Sequence, residues 1–199
     1  MGARLKKPAL AQSVALAIAI ILSYAFASVF VYYPVTVNLS PVNPPIKFIG
    51  GSNANQSDLG GSNTIGVIIG PNSTSLTLYL HPTIQHNYYR DVSRIENTDS
   101  KAYYITVRVN TPAGLPSGSV ARLLIYDAPS GGSIAIDVNL LTTEDTPTPP
   151  ASPVAIPAGA VWRIDLYILI PEDSDPSGTY AEIQLIYSPS DETPPEVPP

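Results

Sequence analysis

Residues 101–110 read KAYYITVRVN, and their side chains alternate between apolar and polar at every second position. The apolar set comprises Tyr103, Ile105, Val107 and Val109. A period of two is typical of a β-strand with one face in a core and the other in water. This stretch therefore predicts a strand of an antiparallel sheet.

The same alternation recurs along the chain after residue 40. It is found in residues 73–80, 134–140, 163–170 and 180–187, and residues 88–96 and 119–127 are further predicted strands. In the third of these runs, Ile164, Leu166, Ile168 and Ile170 alternate with Arg163, Asp165 and Tyr167. Seven or more short strands with turn residues between them predict an all-β, antiparallel β-sandwich.

Turn residues predict how some of these strands are joined. Asn97-Thr98-Asp99-Ser100 predicts a hairpin between residues 88–96 and 101–110, and residues 128–132 (APSGG) predict another between 119–127 and 133–141. Residues 50–61 are rich in Gly, Asn and Ser and predict a loop. Residues 142–153 and the tail 189–199 are rich in Pro and predict exposed, extended chain.

The N-terminus has the composition of an export signal. Basic residues Arg4, Lys6 and Lys7 precede an apolar run, and Ala25-Phe26-Ala27 supplies a small-x-small cleavage site. This predicts a signal peptide over residues 1–27 and a mature chain that begins at Ser28. If the chain is not cut, residues 9–31 are long enough to remain as a membrane helix. Both alternatives export residues 28–199.

Composition limits the classes of function. The chain has no Cys, so a secreted domain would rely on packing and backbone pairing alone. After Ala27 there are seven basic and sixteen acidic residues, a formal net charge of −9. Such a balance argues against a nucleic-acid partner, which requires a basic face.

Few residues suggest catalysis or metal binding. His81 and His86 lack a third ligand in any known spacing and are interpreted as loop residues on the surface. The acidic residues of 172–175 lack the spacing of a calcium loop and are interpreted as a solvated turn. We therefore expect no enzymatic activity, no catalytic residue, no metal and no cofactor.

Two further features each leave two interpretations open. Asn38, Asn55 and Asn72 begin Asn-x-Ser/Thr triplets, which either accept glycans in a secreted protein or arise by chance in this composition. The tyrosines of residues 87–104 are either sheet residues that pair across strands or an aromatic face for subunit contact.

The arrangement as a whole resembles a known family. The resemblance is carried by the leader that runs directly into a strand, by YYRDVSRIENTDSKAYYITVRV (88–109) and by IPAGAVWRIDLYILIP (156–171). These features are similar to the TasA-like biofilm matrix fibre subunits and the related archaeal bundling pilins. The resemblance implies a jelly-roll-like sandwich over residues 38–188. It also implies subunits that polymerise head-to-tail by donor-strand complementation, each giving its N-terminal strand to the next.

Residues 28–37 are the expected donor strand. The expected polymerisation residues are Ser28, Val29, Phe30, Val31, Tyr32, Tyr33, Val35 and Val37. Pro34 cannot donate to a ladder, so a break is expected there. The predicted function is that of a secreted subunit of an extracellular filament or pilus, with other copies of itself as partners and a role in biofilm or adhesion.

Three alternatives to strand donation remain, one of which is a secreted hydrolase or carbohydrate-binding module that uses exposed tyrosines. Residues 28–37 could pair within their own domain as its first strand. Residues 9–31 could also be retained as a helix, which would make the chain a membrane-anchored or type-IV-pilin-like surface protein.

Overall fold

The computed structural model describes residues 11–18, 31–142 and 153–192. The chain divides into two compact units, residues 1–41 and residues 42–199. In the first unit, residues 11–18 form a helix, whereas residues 31–41 form neither helix nor strand. The rest of the predicted leader, including the cleavage residues Ala25 and Ala27, lies outside the described residues.

The second unit contains the described strands. They are β1 Ile46–Gly50, β2 Gly66–Ile69, β3 Leu76–Tyr79, β4 Gln85–Asn97, β5 Tyr103–Thr111, β6 Val120–Tyr126, β7 Ile134–Asn139, β8 Val154–Ile156, β9 Val161–Ile170 and β10 Glu182–Ser188, with a 3₁₀ turn at Pro71–Ser73. Strands at most of the predicted positions are thereby confirmed. The predicted tail residues 193–199 and most of the Pro-rich stretch, residues 143–152, lie outside the described residues.

The strands form three antiparallel sheets. The larger sheet has the order β1-β4-β9-β6-β7, the smaller has the order β10-β5-β8, and β2 pairs with β3 in a separate hairpin. The chain crosses repeatedly between the two main sheets, since β4, β6, β7 and β9 lie in one and β5, β8 and β10 in the other. This arrangement is mostly β and is consistent with an all-β sandwich.

One apolar core joins the two main sheets. The predicted inward residues Ile105 and Val107 of β5 are buried in the same cluster as Ile164, Leu166 and Ile168 of β9. The period-two interpretation of these strands is therefore confirmed. Alternation works as a predictor here because each sheet buries only one face in the shared core.

The hairpin predicted at residues 97–100 is wrong. β4 pairs with β1 and β9, whereas β5 pairs with β10 and β8, so the turn carries the chain from one sheet to the other. The buried side-chain amide of Asn97 holds this crossing, donating to the carbonyl oxygens of Lys101 and Pro157 at 2.9 Å each. By contrast, the predicted hairpin through residues 128–132 is confirmed, because β6 pairs with β7.

Candidate functional site

The N-terminal segment, residues 31–39, is the first candidate for function. Its residues form neither helix nor strand in the structure. Apolar side chains occupy every second position, and each is between 68% and 84% exposed: Val31, Tyr33, Val35, Val37 and Leu39. In a β-strand, side chains at alternate positions share one face, so these five would lie together if the segment paired as a strand. A continuous exposed apolar row is typical of a surface that binds a partner.

The other predicted polymerisation residues fall in two groups. Tyr32 lies at an intervening position and is also exposed. Ser28, Val29 and Phe30 lie outside the described residues. The break expected at Pro34 stays a prediction, because residues 31–40 form no strand on either side of it.

The N-terminal segment also lacks charge. No Asp, Glu, Lys or Arg occurs between Lys7 and Lys47. Charged side chains are one of the devices by which proteins prevent unwanted strand pairing. The segment is therefore suited to joining a sheet.

The main sheets offer open edges in the described part of the chain. β1 and β7 border the larger sheet, and β10 and β8 border the smaller one. β8 has three residues, so only Tyr103, Tyr104 and Ile105 of β5 are paired on that side. An unpaired edge presents backbone N–H and C=O groups that can bind a further strand.

A second candidate is a buried polar network on the outer face of the larger sheet. Asp165 of β9 is fully buried, and its carboxylate accepts from Arg163 Nε (2.9 Å), the Tyr88 hydroxyl (2.5 Å) and the Asp91 backbone N–H (2.6 Å). The Arg163 guanidinium stacks over the Tyr126 ring at 4.2 Å. The hydroxyls of Tyr126 and Tyr88 lie 3.2 Å apart, so the two rings cover the ion pair.

A β-bulge in β4 brings Asp91 into this network. The register between β4 and β9 shifts between Tyr89 and Ser93, and Asp91 has a φ of 48°. Its carboxylate accepts from Arg94 Nε at 2.8 Å and Nη2 at 2.6 Å, and from the Ser52 backbone N–H at 3.1 Å. Asp tolerates this left-handed backbone conformation better than most residues, and the hydrogen bonds of its carboxylate offset the remaining strain.

The network shifts the pKa values of its members. Burial alone would raise the Asp91 pKa, but the hydrogen bonds from Arg94 and Ser52 outweigh it and lower that pKa to about 2. Burial raises the Tyr88 pKa, and its hydrogen bond to the Asp165 carboxylate raises it further. The phenol stays protonated and the Asp91 carboxylate ionised at neutral pH. These ionisation states keep the hydrogen bonds of the network intact, so the network is suited to stabilising the sheet.

Sequence reasoning missed this network. Arg163 and Asp165 were predicted to alternate with the core residues of β9, which is correct, but the partners that bury them come from distant strands. A signal was present, since opposite charges two residues apart share one face of a strand that is otherwise apolar. That spacing alone does not tell a buried pair from a solvated one.

The histidines and a neighbouring carboxylate connect loops to strands. Asp58 accepts from the His81 backbone N–H and lies 2.9 Å from its Nδ1. Burial alone would raise the Asp58 pKa, but hydrogen bonds from Leu59 and His81 lower it. His86, predicted in a loop, lies in β4 with its Nδ1 2.6 Å from the Tyr167 hydroxyl. The loop interpretation of His86 is therefore wrong.

The predicted glycosylation residues differ in their surroundings. Asn38, Asn55 and Asn72 are all exposed. Asn55 Oδ1 accepts from the Val67 backbone N–H at 3.2 Å, and Asn72 lies in the 3₁₀ turn. Glycan attachment at each stays a prediction.

The tyrosines of residues 87–104 are divided by the structure. Tyr89 and Tyr103 are buried in the core, as the sheet interpretation predicts. Tyr88 is half exposed and covers the polar network. An aromatic contact face made by the whole group is therefore not formed.

Comparison with known proteins gives no family. Neither the protein-family models nor the curated proteins include a match to this chain. No helix among the described residues is long and apolar enough to span a bilayer. Within residues 11–18, 31–142 and 153–192, no three His, Cys, Asp or Glu side chains are grouped so as to hold a metal.

Proposed function

We propose that this chain is a secreted structural subunit of an extracellular filament or pilus. Subunits polymerise head-to-tail, with residues 28–37 of one copy pairing as a strand with a sheet of the next. The observation that carries the proposal is the exposed apolar row of the N-terminal segment, which alternates at the period of a strand and has no ladder partner.

The energetics favour a partner that is itself a sheet edge. Burying the three aliphatic side chains Val31, Val35 and Val37 contributes about 4.5–9 kcal/mol. Association costs on the order of 4–15 kcal/mol in lost freedom, so apolar burial alone barely offsets it. A ladder adds about 0.5–1.5 kcal/mol for each backbone hydrogen bond. A sheet edge that provides both apolar burial and backbone hydrogen bonds makes the contact stable.

The geometry of such a contact leads to a filament. The donating segment and the accepting edge are different surfaces of the molecule, so each added copy presents a new edge and a new segment. In this proposal the sheets form a jelly-roll-like sandwich that accepts the strand. The role is structural and non-enzymatic, without a cofactor, at the cell surface, in biofilm or adhesion.

A second candidate rests on the helix of residues 11–18. It lies within the apolar run 9–31, which is long enough to span a bilayer if it is helical throughout. The chain would then be a membrane-anchored or type-IV-pilin-like surface protein. Intact mass of the surface material separates the two, since a mature chain starting at Ser28 supports strand donation and a chain that keeps residues 9–27 supports the anchor.

Electron microscopy of culture supernatant tests the first candidate. The full chain is expressed for export and compared with Val35→Lys/Val37→Lys, which places charge on the apolar row. The matched control is Thr36→Lys/Asn38→Lys, which adds the same charge at the intervening positions. We expect filaments from the wild type and the control, and secreted monomer from the first variant. Equal filaments from both variants would show that the apolar row is not the polymerising surface.

A deletion provides a second test. Removing residues 28–33 is expected to leave a folded and secreted domain that does not polymerise. Circular dichroism establishes that the fold is kept, and microscopy scores the fibres. Normal fibres from the deleted chain contradict the proposal.

A further inference from the structure

The edge strand β10 leaves apolar side chains of the smaller sheet uncovered. Its register with β5 places Ile183, Leu185 and Tyr187 on the same face as the core residues Ile105 and Val107. The two β5 residues are at most 3% exposed. The three β10 residues are only partly covered, and Tyr187 is 40% exposed. Among the described strands, none therefore covers this core face beyond β10.

The other described edges are better protected. The inward residues Ile136 and Val138 of β7 are already buried. β1 carries Lys47 and lies beside β2 of the separate hairpin. β8 is only three residues long. Among these edges, β10 combines length with an uncovered apolar row.

The sequence of β10 also lacks the residues that usually prevent an edge strand from pairing with another chain. Residues 182–188 read EIQLIYS, with one charged residue at the start and no Lys, Arg or Pro. Natural edge strands commonly carry such residues to prevent pairing with another chain. Their absence from β10 matches the absence of charge in the N-terminal segment.

The two surfaces match in length and pattern. At about 3.3 Å per residue, the seven residues of β10 and residues 31–37 each span roughly 23 Å. Both have apolar side chains at alternate positions, so pairing along the edge would continue one apolar face across both strands. Val31, Val35 and Val37 would then cover the partly exposed residues of β10.

We propose that β10 is the acceptor edge: residues 31–33 and 35–37 of a second copy pair along β10, on either side of the break expected at Pro34, and extend the smaller sheet from three strands to four. This inference rests on the proposed function, and it specifies the edge that the incoming strand occupies. The occupant is a second copy because the N-terminal segment supplies the uncharged, alternating strand that this edge requires.

Disulfide trapping tests the assignment in a chain that has no cysteine of its own. One full-length copy carries Val35→Cys, and a differently tagged copy carries Ile183→Cys, Leu185→Cys or Tyr187→Cys. Directly opposed residues of paired strands lie within the distance that a disulfide bridges. Matched controls are Ile134→Cys on β7 and Ile68→Cys on β2, two exposed apolar residues on other strands.

We expect a mixed disulfide with at least one β10 position under mild oxidation. A cysteine held beside its partner is at millimolar effective concentration, so trapping from micromolar chains should exceed that of the controls by on the order of 1000-fold. Equal trapping at Ile134 or Ile68 overturns the assignment. An intramolecular disulfide in a Val35→Cys/Leu185→Cys chain, without any intermolecular product, overturns the second copy as the occupant.

Microscopy of the same mixtures separates the two proposals. Filaments without a β10 disulfide would overturn β10 as the acceptor and leave strand donation standing. An absence of filaments from the wild type would overturn both. As a second probe, Tyr187→Lys places a charge on the accepting row and is expected to abolish polymerisation, whereas Tyr79→Lys on β3 is expected to leave it intact.

Discussion

Replacing Asp165 with Asn should destabilise the domain more than any substitution at an exposed ion pair. Asp165 is fully buried and is the counterion of Arg163, whose side chain is 5% exposed. Asn has nearly the same shape, so the change removes the charge while leaving the packing almost intact. The Arg163 guanidinium would then be a buried cation without its partner.

The expected loss is large on the scale of domain stability. Removing one partner of a buried ion pair costs about 3–5 kcal/mol, because the remaining charge is desolvated without compensation. For a domain of this size, each kcal/mol lowers Tm by roughly 2–4 °C, which gives a fall of roughly 6–20 °C. A contribution from the lost charge-assisted bond to the Tyr88 hydroxyl is included in this range.

Thermal and urea denaturation, followed by circular dichroism, measure the effect. The matched control is Asp137→Asn, which breaks a pair with Arg122 that is bidentate and partly exposed to water. The control should cost about 1 kcal/mol or less. A double variant, Arg163→Met/Asp165→Asn, removes both charges and should be more stable than Asp165→Asn alone.

Two results would contradict this reasoning. If Asp165→Asn and Asp137→Asn lower Tm equally, burial does not determine how much each ion pair contributes to the free energy of unfolding. If the double variant is less stable than Asp165→Asn, the cost does not come from an uncompensated guanidinium.

Three other predictions concern the same compact unit, residues 42–199. The Asp91 pKa lies at about 2, below its ordinary value of 3.8. The stability that this carboxylate contributes is therefore present above pH ~4 and falls by about 2 kcal/mol as the pH drops through 2. Measuring the free energy of unfolding against pH should show this fall in the wild type and a smaller one in Asp91→Asn. Gly51→Ala should unfold or shift the β-bulge, because its Cβ would collide with the Asp91 carbonyl oxygen; an unchanged Tm would contradict the geometry of that loop. Asn97→Ala should cost about 1–3 kcal/mol in urea denaturation, because it leaves buried carbonyl oxygens without a donor, whereas Asn110→Ala at an exposed position should cost little.

The positions of the strands were predictable from local sequence. Alternation identified β5, β7 and β9 because each buries one face in a shared core, and β10 because its apolar face packs partly against the same core. The turn at residues 128–132 was also predictable, since Gly131 and Gly132 both take a positive φ there. These features depend on neighbouring residues, which a sequence displays directly.

The pairing of strands and the buried network were not predictable in this way. Asn97 to Ser100 has the residues of a hairpin turn, but a turn between sheets uses the same residues. What distinguishes the two is the partner of each flanking strand, and those partners, β9 and β10, come some 60 to 90 residues later in the chain. For the same reason, the burial of Asp165 depends on residues of β4 and β6 that its own strand does not reveal.

If the chain is exported, as proposed, the order of its strands constrains how it can fold. β9 lies at the centre of the larger sheet and β10 borders the smaller one, yet they are the last two described strands in sequence. A chain that crosses a membrane N-terminus first therefore presents its early strands without their neighbours, and such long-range pairing is slow. Neither main sheet can close until nearly all of the polypeptide is available, so a chain that ends before β9 would remain unfolded.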